Sequence, residues 1–268
     1  MKKLILSLSL LIATLFILSP SAHASAKTLA EIKEAGKIVM ATNAEYPPFE
    51  WVKMENGEQQ FVGIDFDLAQ LIADEIGVEL EVSEHAFNAL IPVVQSGKVD
   101  MVIAGMSYTA ERAEQIDFSS IYFSTVNQFV VPAETVDQFT SLEDFSSSKI
   151  GVLKASVQEQ LLTKQFPNSD LVAMNKNGDL IEALKAGKID AVFMDNIVIA
   201  DFIYQNEGLI AAVESVEIEG GAFDKAVALA KGNEELLAVI NQVIEEAVAS
   251  GTIDQIVADN IALVRKGN

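Results

Sequence analysis

A polar segment around one of only two arginines has the residue types of a carboxylate site. The chain has 268 residues, and its arginines are Arg112 and Arg265. Ser107 and Thr109 precede Arg112 and are residue types that cap helices, which predicts a short helix containing Arg112. Free N–H groups at a helix N-terminus attract anions, and a guanidinium group can hold a carboxylate through two parallel hydrogen bonds. The segment therefore indicates an anion-binding site.

Asp195 offers the complementary charge. It follows a strand predicted at 191–193, and its carboxylate can accept hydrogen bonds from an ammonium group. A cation and an anion close together would bind a zwitterion, such as a free α-amino acid. The residues alone leave a simpler interpretation open, in which Arg112 contacts Glu111 or Glu114 at the surface and Asp195 only caps the next helix.

An internal repeat predicts two similar lobes. Residues 90–102 recur without a gap at 180–192, and six of the 13 positions are identical. Each copy has the pattern of a helix, a glycine past its end, an aspartate and a buried strand. The match could also arise by chance, or because the order of helix, glycine and strand is common in unrelated proteins. In register, Gly105 and Asp195 occupy the same place in the two lobes, beyond the carboxyl ends of strands, where open α/β sheets bind ligands.

Strands and helices alternate along the chain. This alternation predicts an α/β architecture with mainly parallel sheets. We expect helices at 65–76, 88–96, 233–249 and 253–264, and strands at 37–42, 80–82, 101–104, 128–131, 150–153, 171–174 and 191–193.

The composition excludes several classes of protein. Half of the residues are hydrophobic and none is cysteine, which argues against a disordered chain, a disulfide scaffold and a thiolate metal site. The formal net charge of -21 disfavours binding to nucleic acid. We expect a monomer with no metal, no cofactor and no nucleic-acid partner.

The first 26 residues have the pattern of a secretory signal. A basic start at 1–3 precedes a 15-residue apolar stretch at 4–18, and small residues follow up to Ala26. An uncleaved membrane anchor is the competing interpretation, but the stretch is shorter than the ~20 residues of a spanning helix. We expect cleavage after Ala24 or Ala26 and a periplasmic or extracellular product without a lipid anchor.

Several motifs in order resemble the polar amino-acid family of solute-binding proteins that serve ABC importers, the bacterial solute-binding protein family 3. They are the segment at 41–50, the Gly-Ile-Asp-Phe-Asp run that opens the helix at 63–76, and the segment at 87–119. The resemblance spans residues 30 to 260. It implies a type II periplasmic binding protein fold: two α/β lobes, each a mixed, mostly parallel sheet flanked by helices, joined by two crossover strands.

The resemblance also implies domain boundaries and a partner. Lobe 1 would comprise residues 27–126 and 222–268, and lobe 2 would comprise residues 127–221. The lobes would close on a free amino acid, and a membrane permease of the ABC type would recognise the closed form.

For the ligand carboxylate, the family pattern assigns a binding role to Arg112, assisted by Ser107. Ser156 and Val157 match the start of the lobe-2 helix that also faces this group. Family members often have a glycine and two hydroxyl residues there, whereas this chain has Ala155, Ser156 and Val157. Val157 can offer only its N–H, so one hydroxyl contact is missing.

For the rest of the ligand, the pattern assigns the α-ammonium group to Asp195 and to the backbone of Gly105. Tyr46 and Phe87 match two aromatics that sandwich the ligand side chain, and Asn43 matches a position that reads its distal polar group. Core packing is the alternative role for Phe87.

The uncharged Asn43 weakens a lysine or arginine assignment, although Glu45 could restore an acidic contact or could face solvent. Glutamine, arginine, histidine and asparagine stay open as ligands. An acidic ligand is disfavoured, because Lys154 is the only spare cation that the sequence suggests nearby.

Two rival functions use the same fold. A cyclohexadienyl dehydratase-like enzyme would need a general acid in the cleft; Glu45 is the best candidate, and His85 is expected at the surface. A receptor sensor domain would need membrane spans or a signalling domain after the lobes. We expect a binding protein and not an enzyme.

Overall fold

A computed structural model describes residues 26–214, 216, 218 and 220–266. The predicted signal segment therefore lies outside the described residues, except for Ala26. The helices are α1 (Leu29–Ala35), α2 (Ile64–Ile76), α3 (Leu90–Gln95), α4 (Ala110–Ala113), α5 (Val157–Gln165), α6 (Asn177–Lys185), α7 (Asn196–Gln205), α8 (Glu234–Ala249) and α9 (Thr252–Arg265).

The strands alternate with these helices, as the sequence predicts. They are β1 (Lys37–Thr42), β2 (Glu45–Tyr46), β3 (Glu50–Glu55), β4 (Glu58–Val62), β5 (Glu79–Glu84), β6 (Met101–Val102), β7 (Asp117–Pro132), β8 (Lys149–Leu153), β9 (Asp170–Met174), β10 (Ala191–Asp195), β11 (Ile210–Ala212) and β12 (Ala222–Leu229).

Two groups of parallel strands form the centres of the two lobes. In lobe 1, β1 pairs in parallel with β5 and β6. In lobe 2, β8 pairs in parallel with β9 and β10. The apolar face of α2, which includes Leu68 and Ile72, is buried in the lobe 1 core together with Leu236 and Ile240 of α8. Burial of these side chains is the main favourable contribution to packing the helices on the sheet.

Two long antiparallel strands connect the lobes. β7 pairs with β12 along most of its length and then with β10 and β11, so one strand belongs to both sheets. The strand order is β5-β1-β6-β12-β7-β10-β8-β9, with β11 on β7. This mixed sheet with two crossover strands is the predicted architecture. Val126 and Ala222, where we set the lobe boundaries, face each other across β7 and β12.

The repeat has the same local geometry in both lobes. The Asp100 carboxylate accepts a hydrogen bond from the Val39 N–H at 2.8 Å, and the Asp190 carboxylate accepts one from the Lys149 N–H at 2.8 Å. Each aspartate thereby fixes the first central strand of its lobe, β1 or β8. The preceding glycines both have left-handed backbone angles, with φ of 69° at Gly97 and 64° at Gly187.

The element predictions differ from the structure in several places. The helix predicted at 88–96 is a 3₁₀ turn at Phe87–Ala89 followed by α3, and the strand predicted at 101–104 ends at Val102. The small antiparallel sheet β2-β3-β4 and the strands β11 and β12 were not predicted. These strands lack a clear alternation of polar and apolar residues, which is the signal that sequence analysis uses.

Within the described residues, no single helix is long and apolar enough to cross a bilayer. Only α8 and α9 together, bent by 78° between them, reach that length and composition. The same part of the chain contains no group of three or more histidine, aspartate or glutamate side chains placed to hold a metal ion.

Candidate functional site

A cavity lies between the lobes. All nine residues that the sequence nominates line it: Asn43, Tyr46, Phe87, Gly105, Ser107, Arg112, Ser156, Val157 and Asp195. Eight further residues complete the lining: Glu50, Ala104, Leu153, Gln158, Asn177, Phe193, Met194 and Lys225.

Arg112 is held from both lobes. Its Nη1 donates a hydrogen bond to the Ser107 carbonyl at 2.7 Å, and its Nη2 donates one to the Ala155 carbonyl at 3.1 Å. The residue is 4% exposed, and burial lowers the pKa of its guanidinium group to about 10. Among the described residues, no acidic side chain forms a salt bridge with it. The surface contacts with Glu111 or Glu114 are therefore not formed.

The short helix around Arg112 forms as predicted, but its cap is Thr109. The Thr109 Oγ1 accepts a hydrogen bond from the Arg112 N–H at 3.1 Å. Ser107 has a different role: its Oγ accepts a hydrogen bond from the Nζ of Lys225 at 3.1 Å. Ser107 thus has Arg112 on its carbonyl and Lys225 on its hydroxyl.

The lobe-2 wall is the N-terminus of α5. The Ser156 Oγ caps this helix by accepting a hydrogen bond from the Glu159 N–H at 3.1 Å. The Val157 N–H lies at the first helical position, where α-helices leave donors without intrahelical partners. Ala155 has a left-handed backbone, with φ of 62°, and its carbonyl accepts from Arg112.

Asp195 is already bonded on both carboxylate oxygens. Its Oδ2 accepts hydrogen bonds from the Tyr46 hydroxyl at 2.6 Å and from the Lys225 Nζ at 2.8 Å, and its Oδ1 accepts one from Thr125. It stands at the N-terminus of α7 but makes no side-chain cap, so the capping role is excluded. The carboxylate faces the cavity with three donors in place.

Phe87 and Tyr46, the two nominated aromatics, each have another side chain packed against one face of the ring. The Arg112 guanidinium lies over the Phe87 ring, 5.6 Å from its centroid, and Tyr46 stacks on Phe49 with centroids 5.8 Å apart. Gly105 packs against the Tyr46 ring, because a Cβ at Gly105 would lie 3.2 Å from Tyr46 Cδ1. Phe87 is half-buried and lines the cavity, so it is not a core residue only.

A pair of carboxyl groups lies behind Gly105. Asp65 accepts hydrogen bonds from the Gly105 N–H at 2.6 Å and the Tyr122 hydroxyl at 2.8 Å, and burial raises its pKa to about 6. Glu50 lines the cavity beside it. Burial, and then the nearby Asp65 charge, raise the pKa of Glu50 well above its ordinary value, which favours its neutral form.

The family model of bacterial extracellular solute-binding proteins, family 3, matches residues 38–261, which is most of the chain. The chain belongs to this family.

The chain is similar in sequence to one arginine-binding protein and in sequence and structure to another. An arginine-binding extracellular protein of Bacillus subtilis is 31% identical over 224 residues, which cover 82% of this chain and 84% of that protein. The crystal structure of an amino acid ABC transporter substrate-binding protein of Streptococcus pneumoniae bound to L-arginine is 36% identical, with a TM-score of 0.84 over 88% of this chain and 98% of that chain.

A second structure concerns the rival enzyme. It is an ancestral amino acid-binding protein described as a precursor of cyclohexadienyl dehydratase, 27% identical with a TM-score of 0.79 over 88% of this chain and all of that chain. The resemblance and the two-lobed fold predicted from the sequence are confirmed. A solute-binding protein of the family is favoured over the dehydratase, since these relatives are all described as binding proteins.

For this member of family 3, one prediction about the cavity was wrong. Lys154 is exposed and does not line it, whereas Lys225 does, at 1% exposure. The argument that no other cation stands near the ligand is therefore overturned. The sequence signal was a lone lysine directly before the apolar run at 226–230. No strand was predicted there.

Glu50 and Asn177 were also missed. Both line the cavity, and each has a buried polar atom with no hydrogen-bond partner, the Oε2 of Glu50 and the Nδ2 of Asn177. Residue type alone did not distinguish them from the many other glutamates and asparagines. Buried polar atoms without a partner are uncommon, so a ligand is a natural partner for them.

Glu45 lies near the cavity but does not line it, and its side chain is half-buried. Its carboxylate accepts a hydrogen bond from the Nζ of Lys176 at 2.6 Å, between β2 of lobe 1 and the start of α6 of lobe 2. His85 is half-buried, and its Nε2 lies 2.9 Å from the Ser83 Oγ. Neither group reaches the cavity as a general acid.

Proposed function

We propose that this chain is the extracytoplasmic substrate-binding protein of an amino-acid ABC importer. It binds a polar or cationic L-amino acid, such as glutamine, arginine or histidine, in the cavity between its lobes and delivers it to a membrane permease. The observation that carries this proposal is Arg112, a buried guanidinium with no acidic partner among the described residues, in the wall of the cavity between the lobes. Such a group is stable when an anionic ligand supplies the partner.

The ligand carboxylate is assigned to Arg112, with the Ser107 segment and the start of α5 around it. Ser156 and Val157 bring the positive end of the α5 dipole to the same group. These groups come from both lobes, so binding of the carboxylate favours closure. The relatives described as arginine-binding support an amino acid as the ligand.

The remaining nominated residues are assigned to the other parts of the ligand. Asp195 and the backbone of Gly105 hold the α-ammonium group, sharing the Asp195 carboxylate with Lys225. Tyr46 and Phe87 flank the side chain, and Asn43 reads its distal polar group. All of them line the cavity.

Closure is proposed to occur by bending of β7 and β12 near residues 126 and 222, between lobe 1 (27–126 and 222–268) and lobe 2 (127–221). The antiparallel pairing of Val126 with Ala222 supports these boundaries. The proposed protein is a monomer without a lipid anchor, acts in the periplasm or outside the cell, and catalyses no reaction.

Isothermal titration of the refolded, ligand-free protein with the twenty amino acids tests this function. Refolding from denaturant removes ligand carried from the cells. We expect tight binding of one or a few polar amino acids. The corresponding methyl esters should not bind, because an ester has no negative charge and cannot form an ion pair with Arg112. A protein that binds no amino acid, or binds the esters equally well, would contradict the proposal.

A further inference from the structure

The cavity has more hydrogen-bond donors than acceptors without a partner. Lys225 carries three N–H donors, of which one faces Asp195 and one faces Ser107. Arg112 carries five, of which its side chain uses two, on Ser107 and Ala155. The Nδ2 of Asn177, a residue 2% exposed, has no partner.

The lining that the structure describes has two acidic side chains, Asp195 and Glu50. Three donors already bind the two carboxylate oxygens of Asp195. Burial raises the pKa of Glu50 well above its ordinary value, which favours a neutral carboxyl group over an anion there. Asp65 lies behind Gly105 and is bonded to the Gly105 N–H and the Tyr122 hydroxyl, so it offers no contact to a ligand.

Lys225 changes the charge that a ligand meets. An α-carboxylate neutralises Arg112, and an α-ammonium group must then share Asp195 with the Nζ of Lys225, 2.8 Å from its Oδ2. A guanidinium or ammonium side chain would add a further positive charge to a cavity in which three donors already bind the Asp195 carboxylate. Like charges repel strongly in a buried site, because the effective dielectric constant is low.

Resting on the proposed function, we infer that Lys225 is a specificity-determining residue. The cavity selects an amino acid whose side chain ends in a carbonyl or carboxylate oxygen and discriminates against a cationic side chain. The side-chain oxygen would accept hydrogen bonds from the donors of Lys225 and Asn177, which a guanidinium group cannot do. A site with unpaired donors discriminates against ligands that leave them unpaired.

L-citrulline and L-arginine form a matched pair of probes. They have almost the same shape, but a neutral ureido oxygen in citrulline replaces one nitrogen of the arginine guanidinium. We expect titration of the wild-type protein to give at least tenfold tighter binding of citrulline, and L-glutamine or L-glutamate to bind more tightly than arginine. Comparing the last two ligands identifies amide or carboxylate as the preferred acceptor.

The variant Lys225→Gln tests the residue. It keeps a donor for Asp195 and Ser107 but removes the charge, and we expect the citrulline-to-arginine affinity ratio to fall at least threefold. Lys98→Met removes an exposed lysine outside the cavity and should leave the ratio unchanged. Should Lys225→Gln fail to fold, the wild-type comparison still decides.

Two outcomes would overturn the inference and can be told apart. If wild-type protein binds arginine as tightly as citrulline or more tightly, or if Lys225→Gln leaves the ratio unchanged, Lys225 does not select the ligand, although the proposed function stands. If none of these amino acids binds, the proposed function fails as well.

Discussion

The Nζ of Lys225 lies 2.8 Å from the Oδ2 of Asp195, and both side chains are 1% exposed. The lysine comes from β12, which connects the lobes, and the aspartate ends β10 of lobe 2. This buried ion pair therefore joins the connection between the lobes to the wall of the cavity. It also occupies part of the carboxylate that the sequence assigned wholly to a ligand.

Removing either partner of this pair should be more damaging than removing both. We expect Lys225→Met and Asp195→Asn each to lower the free energy of unfolding by about 3–5 kcal/mol, because each leaves a buried charge without a partner. The double variant should lose clearly less than the sum of the two. Urea denaturation of all four proteins measures this coupling. Additive losses would mean that the two charges do not depend on each other.

Arg112→Ala should abolish tight ligand binding without unfolding the protein. Loss of a buried, charged partner of a carboxylate costs about 2–5 kcal/mol of binding, or roughly 30-fold to several thousandfold in affinity. Titration with the preferred amino acid measures the loss, and circular dichroism checks the fold. Arg265→Ala, which changes the only other arginine, is the control. Unchanged affinity of Arg112→Ala would disprove the assigned anchor.

The contact between Glu45 and Lys176 should slow ligand release. It joins β2 to the start of α6 across the cavity edge, and hydrogen bonding to Glu45 raises the pKa of Lys176. Because the pair is exposed, we expect Lys176→Gln to speed release only about two- to fivefold. Stopped-flow fluorescence should show this effect shrinking as salt rises. Lys185→Gln, which breaks a pair within α6, is the matched control.

Asp201 should make the protein less stable as the pH rises from 4 to 6. Burial raises its pKa to about 6, from an ordinary value of 3.8, and its Oδ2 has no hydrogen-bond partner. A raised carboxyl pKa means that the folded state binds more protons than the unfolded state in this window. Its contribution is therefore full below pH 3.8 and lost through pH 6.

Asp201→Asn mimics the protonated acid and should flatten this part of the pH profile, by roughly 1 to 3 kcal/mol across the window. Urea denaturation at several pH values measures the slope. Glu55→Gln, at the exposed end of β3, should keep the wild-type slope. A parallel profile for Asp201→Asn would show that Asp201 is not the titrating group.

Gly63→Ala should prevent stable folding. A Cβ at Gly63 would clash with the backbone of Phe49 and lie 2.9 Å from Glu50 Cα, and φ is 138°. We expect a loss above about 3 kcal/mol, because neither backbone can move away. Gly57 also has a positive φ, of 86°, but has open space around it, so Gly57→Ala should cost about 1 kcal/mol. Thermal melts of both variants test the difference.

The sequence predicted the lobes well because their central elements repeat. The pattern of helix, glycine, aspartate and strand is local, and Asp100 and Asp190 bind the neighbouring strands in the same way. The residues nominated for the ligand all line one cavity, since the family motifs carry their positions. Their contacts with a ligand stay a prediction.

The role of Lys225 could not be predicted, because it depends on residues far apart in sequence. It lies 118 positions from Ser107 and 30 from Asp195, and only the pairing of β12 with β7 and β6 brings the three together. The raised pKa of Glu50 likewise follows from its burial next to Asp65, which no local pattern reports.

The position of β12 dictates the order in which the protein can mature. In the sheet, β12 lies between β6 and β7, although β8, β9, β10 and β11 all precede it in the chain. A ribosome or export channel releases the chain from its N-terminus, so lobe 2 has all its strands while lobe 1 still lacks a central one. Until residue 229 emerges, β6 and β7 present open edges that can pair wrongly.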